Sequence, residues 1–274
     1  MIINYDFPGQ LCNRIWSLVP SIAYGLEYNE KVLIINFEEY SAGFDDLNKN
    51  KLVSFKPKKL LKRIIFSLKA RGYIQNGKSN IILRLLRLNM IEGWSNRLGN
   101  QQMVINQSEK IRSIFLPEKS IRDAVDPVFD AFEKDMVVVG LHMRRGDYKT
   151  WRNGQYYYTD EVYASVMQRI QQQVKNKHVK FLLCSNEALD LQNFSNFDCF
   201  VIPDTSGLKD LYALSKCSYI LGPPSTYSQW ASFMGKTPLK FLMAADEKIE
   251  MSMFSKIVSL DNFENKDELK LVNI

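Results

Sequence analysis

From Met136 to Met243 short apolar runs alternate with amphipathic stretches, and no other feature narrows the possible folds as far. Met136-Val137-Val138-Val139-Gly140-Leu141-His142 is the continuous apolar run that a strand buried on both faces requires. Thr159 with Asp160 and Glu161 opens a helix whose expected buried face is Val162, Val166, Ile170 and Val174. Strands are expected at 179–185 and 199–203, a helix at 208–216 and a strand at 219–222. A helix at 225–234, closed by Gly235, and a strand at 238–243 complete the series. The order β-α-β-β-α-β-α-β describes a doubly wound half of Rossmann type, hence an α/β protein.

The beginning of the chain repeats the pattern in brief. A strand at 1–5 leads through Asp6-Phe7-Pro8-Gly9-Gln10-Leu11-Cys12-Asn13 into an apolar helix at 14–28 and a strand at 31–36, a βαβ opening. Two domains are therefore expected, 1–135 and 136–274. Within the first, residues 47–91 stand apart as a basic helical insert: twelve lysines and arginines and no acid, in a chain of net charge +6. Pro57 and Gly72 bracket a helix carrying Leu60, Leu61, Ile64, Ile65 and Leu68, and Ser79 is expected to cap a second with Ile82, Leu85 and Leu86. Two uses fit such basic amphipathic helices. They can lie on an anionic membrane surface through 49–87, or pack their apolar stripe on the domain and solvate their lysines. Nucleic acid is not an expected partner, because the basic run lacks interleaved aromatics and any known motif.

Composition excludes other classes. With 46% apolar and 24% charged residues the chain is globular, and no apolar run reaches the ~18 residues of a membrane span. Met1-Ile2-Ile3-Asn4-Tyr5-Asp6 carries no basic or long apolar leader, so a cytoplasmic protein, at most peripheral on the inner face of the membrane, is expected. Cys12, Cys184, Cys199 and Cys217 show no CxxC spacing and read as reduced thiols. His142 and His178 are the two histidines, without an HExxH or Cys-pair pattern, so no protein-built metal site is expected. Asp45-Asp46, beside Gly43 and Asn48, reads as a solvated turn rather than a metal ligand pair.

Chemistry concentrates where strands end, because ligands of open α/β sheets bind beyond the carboxyl ends. The strand ending at His142 delivers Met143-Arg144-Arg145-Gly146-Asp147-Tyr148 there. Two adjacent arginines are costly to desolvate and suit phosphate oxygens bidentately; one is expected to pair with Asp147 or another acid, leaving the other for ligand. A second anion site is expected where Gly222-Pro223-Pro224 runs into a helix capped by Ser225 or Thr226, followed by Tyr227, since the free N–H groups of a first turn favour phosphate. Plain helix capping is the alternative there. Together the two segments describe a diphosphate cradle.

These residues resemble a known group. His142-x-Arg144-Arg145-Gly146-Asp147-Tyr148 resembles the signature of the α1,2-fucosyltransferases of glycosyltransferase family 11, and is similar to that of the α1,6- and protein O-fucosyltransferases. Gly9-Gln10-Leu11-Cys12-Asn13-Arg14 resembles the family's N-terminal loop, and Glu92-Gly93-Trp94 with Ile111-Arg112-x-x-Phe115 a central segment. Phe181 to Glu187, and Asp210-Leu211-Tyr212 running to Trp230, resemble later motifs. The resemblance implies a GT-B-like pair of Rossmann-type domains facing a cleft, with the acceptor on the N-terminal side. It implies GDP-fucose as donor, an inverting and metal-independent transfer to a glycan hydroxyl, and an α1,2 linkage in surface-polysaccharide synthesis on an acceptor that can be lipid-linked.

The donor contacts so implied are His142, Arg144, Arg145, Ser185, Asn186, Ser225, Thr226 and Tyr227, with Gly9, Asn13 and Arg14 facing the cleft. Arg144 would stabilise the leaving β-phosphate and Arg145 would brace the loop. Asp147 either braces the arginines or takes the acceptor proton. His142 either contacts the nucleotide or is a satisfied histidine at a strand end. Ser185-Asn186 replaces a Ser/Asp pair of the family and removes a carboxylate on the guanine side. That departure leaves open a transferase using a different nucleotide sugar, or a non-catalytic nucleotide- or glycan-binding protein.

Overall fold

Two largely parallel six-stranded sheets organise the chain, one in each of two units, Met1–Lys119 and Ser120–Ile274. The structure, a computed structural model, describes residues 1–56, 59–174 and 177–259. In the first unit the elements are β1 (Ile2–Asn4), α1 (Leu11–Glu27), β2 (Val32–Ile34), β3 (Val53–Phe55), α2 (Lys59–Ala70), β4 (Ile74–Gln75) and β5 (Lys78–Ser79). They continue with α3 (Ile81–Leu85), β6 (Asn89–Ile91), α4 (Gln101–Asn106) and α5 (Ser108–Ile114). The second unit holds α6 (Lys119–Asp130), β7 (Val137–Met143), α7 (Asp160–Gln173), β8 (Val179–Ser185), β9 (Cys199–Phe200), α8 (Gly207–Lys216), β10 (Tyr219–Gly222), α9 (Thr226–Gly235), β11 (Pro238–Phe241) and β12 (Ser255–Lys256).

In the second unit the sheet runs β12-β11-β10-β7-β8-β9, parallel except for β12. All seven residues of β7 are buried, as a central strand covered on both faces demands. Val139, Leu141 and Met143 share a core with Phe181 and Leu183 of β8 and with α7. The face that α7 buries is Tyr163, Val166, Met167 and Ile170; the expected Val162 and Val174 sit at its flank, only partly buried. The sequence places the domain boundary at 135–136, one helix later than the division at Lys119. α6 is held to the second unit because Asp126 accepts a 2.9 Å hydrogen bond from Tyr212 and pairs with Lys216 at 2.9 Å.

The first unit's sheet runs β3-β2-β1-β6-β5-β4, with β3, β2, β1 and β6 parallel and the β4–β5 hairpin antiparallel at its edge. α1 begins at Leu11, three residues before the expected start at Arg14. The basic segment forms α2, the hairpin and α3. Ile65, Ile74 and Leu83 from these elements share a small core with Ile3, Ile35 and Met90. The cap of α3 is Asn80, whose Oδ1 accepts from Leu83 N, and not Ser79. Ser79 lies in β5, where its hydroxyl donates to the Leu88 carbonyl and accepts from Met90 N. Pro57 and Lys58 lie outside the described residues. Among the described residues no helix is long and apolar enough to cross a membrane.

Candidate functional site

Both sheets are wound outward from a central strand, which fixes where a ligand can enter. In the second unit the chain passes from β7 to β8 and β9 on one side, then returns to place β10 and β11 on the other. The crevice at such a switch point lies beyond the carboxyl ends of the two strands flanking it, here β7 and β10. β7 and β10 pair in parallel through Leu141 and Leu221, so His142 stands beside Gly222. A Cβ at Gly222 would press on the His142 carbonyl, so the close approach of these two strand ends requires glycine.

The two loops that leave this point are tied together. Tyr148 donates a 2.6 Å hydrogen bond to the Pro224 carbonyl, and burial pushes its phenol up to about 12, which keeps it a donor. Ser225 caps α9, accepting from Tyr227 N at 3.2 Å. Thr226 and Tyr227 open the helix; the Tyr227 ring lies 4.8 Å from the His142 ring and its hydroxyl donates to the Gly207 carbonyl. The N-terminus of α9 thus faces the crevice beside the arginine loop, from an anchored position.

Each arginine has its own partner. The guanidinium of Arg145 pairs with Asp160 in the first turn of α7, both partners nearly buried at 11% and 17% side-chain exposure. Arg145 Nε is buried without a hydrogen-bond partner among the described residues. Its backbone N–H donates to Asn186 Oδ1 at 2.7 Å, and Gly146 N–H donates to Glu187 at 3.1 Å. Gly146 takes a positive φ of 57°, which turns the loop back. Arg144 instead pairs with Asp147 at 2.9 Å, and that carboxylate is 59% exposed. The Arg144 guanidinium also lies 5.5 Å above the Tyr148 ring. An incoming anion can exchange with an exposed carboxylate far more easily than with Asp160, so the geometry separates a bracing arginine from an available one.

His142 is buried, with Nδ1 2.7 Å from Ser228 Oγ. Burial first, and then the Arg144 charge, lower its pKa to about 3, so the ring is neutral at physiological pH. Of the two expectations for His142, this arrangement is that of a satisfied strand-end histidine. Ser185 accepts from Glu187 N at 3.1 Å, and with Asn186 supports the arginine loop from the end of β8. Asp160, Tyr148 and Glu187 were not singled out as site residues from sequence. Gln229, fully buried in α9 with neither amide atom hydrogen-bonded among the described residues, was not either. Asp160 carries a sequence signal as an acid opening a helix, and Tyr148 and Glu187 as members of the quoted motifs; Gln229 carries none.

The first unit has its own switch point, between β1 and β6. Asp6, just past β1, accepts Trp94 N at 2.6 Å and Phe7 N at 2.9 Å, stapling the two strand ends together. Burial raises its pKa. A Cβ at Gly93 would overlap the Ser17 carbonyl, so β6 can approach α1 only with glycine there. Gly9 adopts φ 43° with the Asn13 side chain where its Cβ would point. Arg14 is buried: Nε donates to the Gly9 carbonyl at 3.2 Å and Nη2 pairs with Glu39 at 3.0 Å. Its guanidinium lies 3.7 Å from the Phe7 ring centroid and 4.9 Å from that of Tyr40. Nη1 is buried without a hydrogen-bond partner among the described residues. Phe7, Glu39 and Tyr40 carry no local sequence signal that points to Arg14.

Among the described residues no three His, Cys, Asp or Glu side chains gather to hold a metal ion. Asp46 lies in a turn paired with Lys49. Cys12, Cys184 and Cys217 are buried free thiols, and Cys199 is half-buried.

No protein-family model matches the sequence, and no curated protein does. Solved structures do. The chain is similar to the α-1,6-fucosyltransferase NodZ soaked with GDP-fucose, with TM-score 0.54 and 16% identity over 87% of this chain and 93% of that one. NodZ from Bradyrhizobium gives TM-score 0.53 at 15% identity over 87% and 94%. A mutant of Arabidopsis thaliana FUT1 in complex with GDP gives TM-score 0.55 at 12% identity over 88% and 70%. At these identities the likeness is one of fold, and the chain has the two-sheet α/β, GT-B-type fold of these fucosyltransferases.

Proposed function

We propose that this chain is an inverting, metal-independent glycosyltransferase that moves fucose from GDP-fucose to a glycan hydroxyl. The observation that carries the proposal is that Arg144 lies over Tyr148, whose hydroxyl is bonded to Pro224 just before the N-terminus of α9, at the β7–β10 switch point. The fold is shared with an enzyme solved with GDP-fucose. In the reaction the acceptor oxygen bonds to the anomeric carbon from the face opposite the nucleotide. The bond from that carbon to the β-phosphate oxygen breaks, and GDP leaves with the electron pair. Arg144 and the N–H groups of α9 meet the charge that develops on the phosphate, each preorganised donor contributing about 10²–10³ in rate. Arg145, locked to Asp160, holds the loop in place. Asp147, exposed beside Arg144, is the carboxylate within the loop positioned to receive the acceptor proton once phosphate has displaced it.

The first unit, with Gly9, Asn13 and Arg14 at its own switch point, is the acceptor side in this proposal. The α1,2 linkage follows from the sequence resemblance, whereas NodZ is an α-1,6-fucosyltransferase. A growing surface glycan made in the cytoplasm is the acceptor class we assign. A second reading, transfer from a different nucleotide sugar, is favoured by Asn186, whose Oδ1 is committed to the Arg145 amide rather than to a base.

The test is calorimetric titration with GDP, UDP, GDP-fucose and GDP-mannose in EDTA and then with magnesium, on the wild-type chain and on Arg144→Ala. Binding of GDP and GDP-fucose in EDTA is expected, with transfer lost by about 10²–10³ in the variant. Preference for UDP, a requirement for magnesium, or full activity of Arg144→Ala would overturn the proposal.

A further inference from the structure

Seven of the thirteen large apolar side chains exposed among the described residues crowd into residues 60–86. α2 turns Leu61, Ile65 and Leu68 onto the small core, as an amphipathic helix should. It also exposes Leu60, Ile64 and Phe66, the last at 72%. Leu60 and Ile64 are one turn apart on a flank, and Phe66 lies on the outer face with Lys59, Lys62 and Arg63. α3 buries Leu83 alone and turns Ile81, Ile82, Leu85 and the adjoining Leu86 outward, Leu85 being 76% exposed. The two helices rest on one core, through Ile65 and Leu83, so both exposed sets belong to one lobe of the first unit. Packing on the domain therefore accounts for only part of the apolar content of this segment.

Charge identifies the occupant. Residues 59–87 carry eight lysines and arginines and no acid. Lys62 and Lys69 reach Glu38 and Glu92 at 2.6 and 3.0 Å. Lys59, Arg63 and Arg84 make no ion pair among the described residues. A second copy of the chain would set this cationic lobe against itself, which like charges oppose. A bilayer bearing anionic headgroups satisfies both halves of the surface: acyl chains accept the apolar side chains while long basic side chains reach the phosphates.

We propose that the lobe formed by α2 and α3 docks the protein on an anionic lipid bilayer, with Phe66 and Leu85 inserted and Lys59, Arg63 and Arg84 on the headgroups. Docking of this kind does not depend on which nucleotide sugar the second unit binds. It would hold the enzyme at the surface where a lipid-linked glycan acceptor is presented.

The experiment is co-sedimentation of the full chain with vesicles of phosphatidylcholine alone, and of phosphatidylcholine with phosphatidylglycerol in equal parts. Binding to the anionic vesicles and not to the neutral ones is expected. Phe66→Ser/Leu85→Ser should weaken it by at least about tenfold. Arg63→Glu/Arg84→Glu should weaken it by at least about a hundredfold, at about fivefold per unit charge. All four positions lie on the surface, so both variants should keep the wild-type Tm and the wild-type GDP titration. No binding by the wild type, equal binding to neutral vesicles, or unchanged binding by both variants would overturn the proposal. So would a lipid-free dimer in sedimentation equilibrium that Phe66→Ser/Leu85→Ser dissociates.

Discussion

Replacing Asp160 by asparagine removes the charge partner of Arg145, together with a carboxylate oxygen that accepts from Asn193 Nδ2 at 2.7 Å, so it measures chiefly what holds the arginine loop. The guanidinium is 11% exposed, and its Nε already has no hydrogen bond among the described residues. Once the carboxylate is neutral, the cation stays buried with only an amide dipole facing it. Breaking a buried ion pair from one side costs about 3–5 kcal/mol, and the residual exposure of both partners places this pair near the lower end, about 3 kcal/mol. Up to about 1 kcal/mol of that is the lost interaction of the acid with the first turn of α7. For a protein of this size the loss corresponds to a fall in Tm of about 6–12 °C. Urea denaturation followed by circular dichroism reads the change as a lower midpoint at unchanged slope. Arg145→Met/Asp160→Leu, which removes both charges, should recover most of the stability. A loss below about 1 kcal/mol for Asp160→Asn would refute the argument that Arg145 is a bracing residue. Recovery failing in the double variant would instead show that the pair contributes more than mutual neutralisation.

Two further outcomes follow from the same geometry. His142 has its pKa lowered to about 3 from an ordinary value of about 6.5, so its contribution to stability is complete above about pH 6.5 and declines as pH falls. The stability difference between the wild type and His142→Asn should therefore shrink by about 2 kcal/mol between pH 6.5 and pH 5; a constant difference would show that the ring protonates in place. Gly93→Ala should cost the first unit about 2 kcal/mol in thermal or urea unfolding, because the added methyl meets the Ser17 carbonyl and stands 2.6 Å from Asn4 Nδ2. A change under about 0.5 kcal/mol would mean that β6 and α1 separate freely.

Much of the second unit can be read from its residues, because buried parallel strands must be apolar throughout. Val137 to Met143 and Phe181 to Cys184 have little else they could form, and Ser225 caps α9 by chemistry that acts within a turn, whereas the left-handed residue that ends α9 is Lys236 and not the expected Gly235. Of the expected α7 stripe Val166 and Ile170 are buried, while the large side chains of Tyr163 and Met167 take the remaining core positions and leave Val162 and Val174 at the flank. Partnerships across the fold were not legible. Arg145 had several acids within reach on paper, and which one it meets depends on how α7 docks. Nothing local marks Phe7 and Tyr40 as the rings around Arg14. The apolar residues of α2 and α3 looked like a stripe in sequence, yet a helix of twelve residues and one of five have fewer inward positions than that count of side chains.

The winding of the second sheet also bears on how the site comes into being. β7 meets β8 at Val139 and Phe181, but meets β10 at Val139 and Tyr219, about twice as far along the chain. The entropy of closing the longer loop must be met before that contact returns anything. The β7–β8 pair can therefore form early, on a local hairpin of helix and strands, while the β7–β10 seam closes late. The crevice proposed to bind the donor phosphates lies on that seam, so a folding intermediate would carry most of the apolar core and none of the proposed site. Binding of nucleotide during refolding should accordingly appear only with the slowest phase.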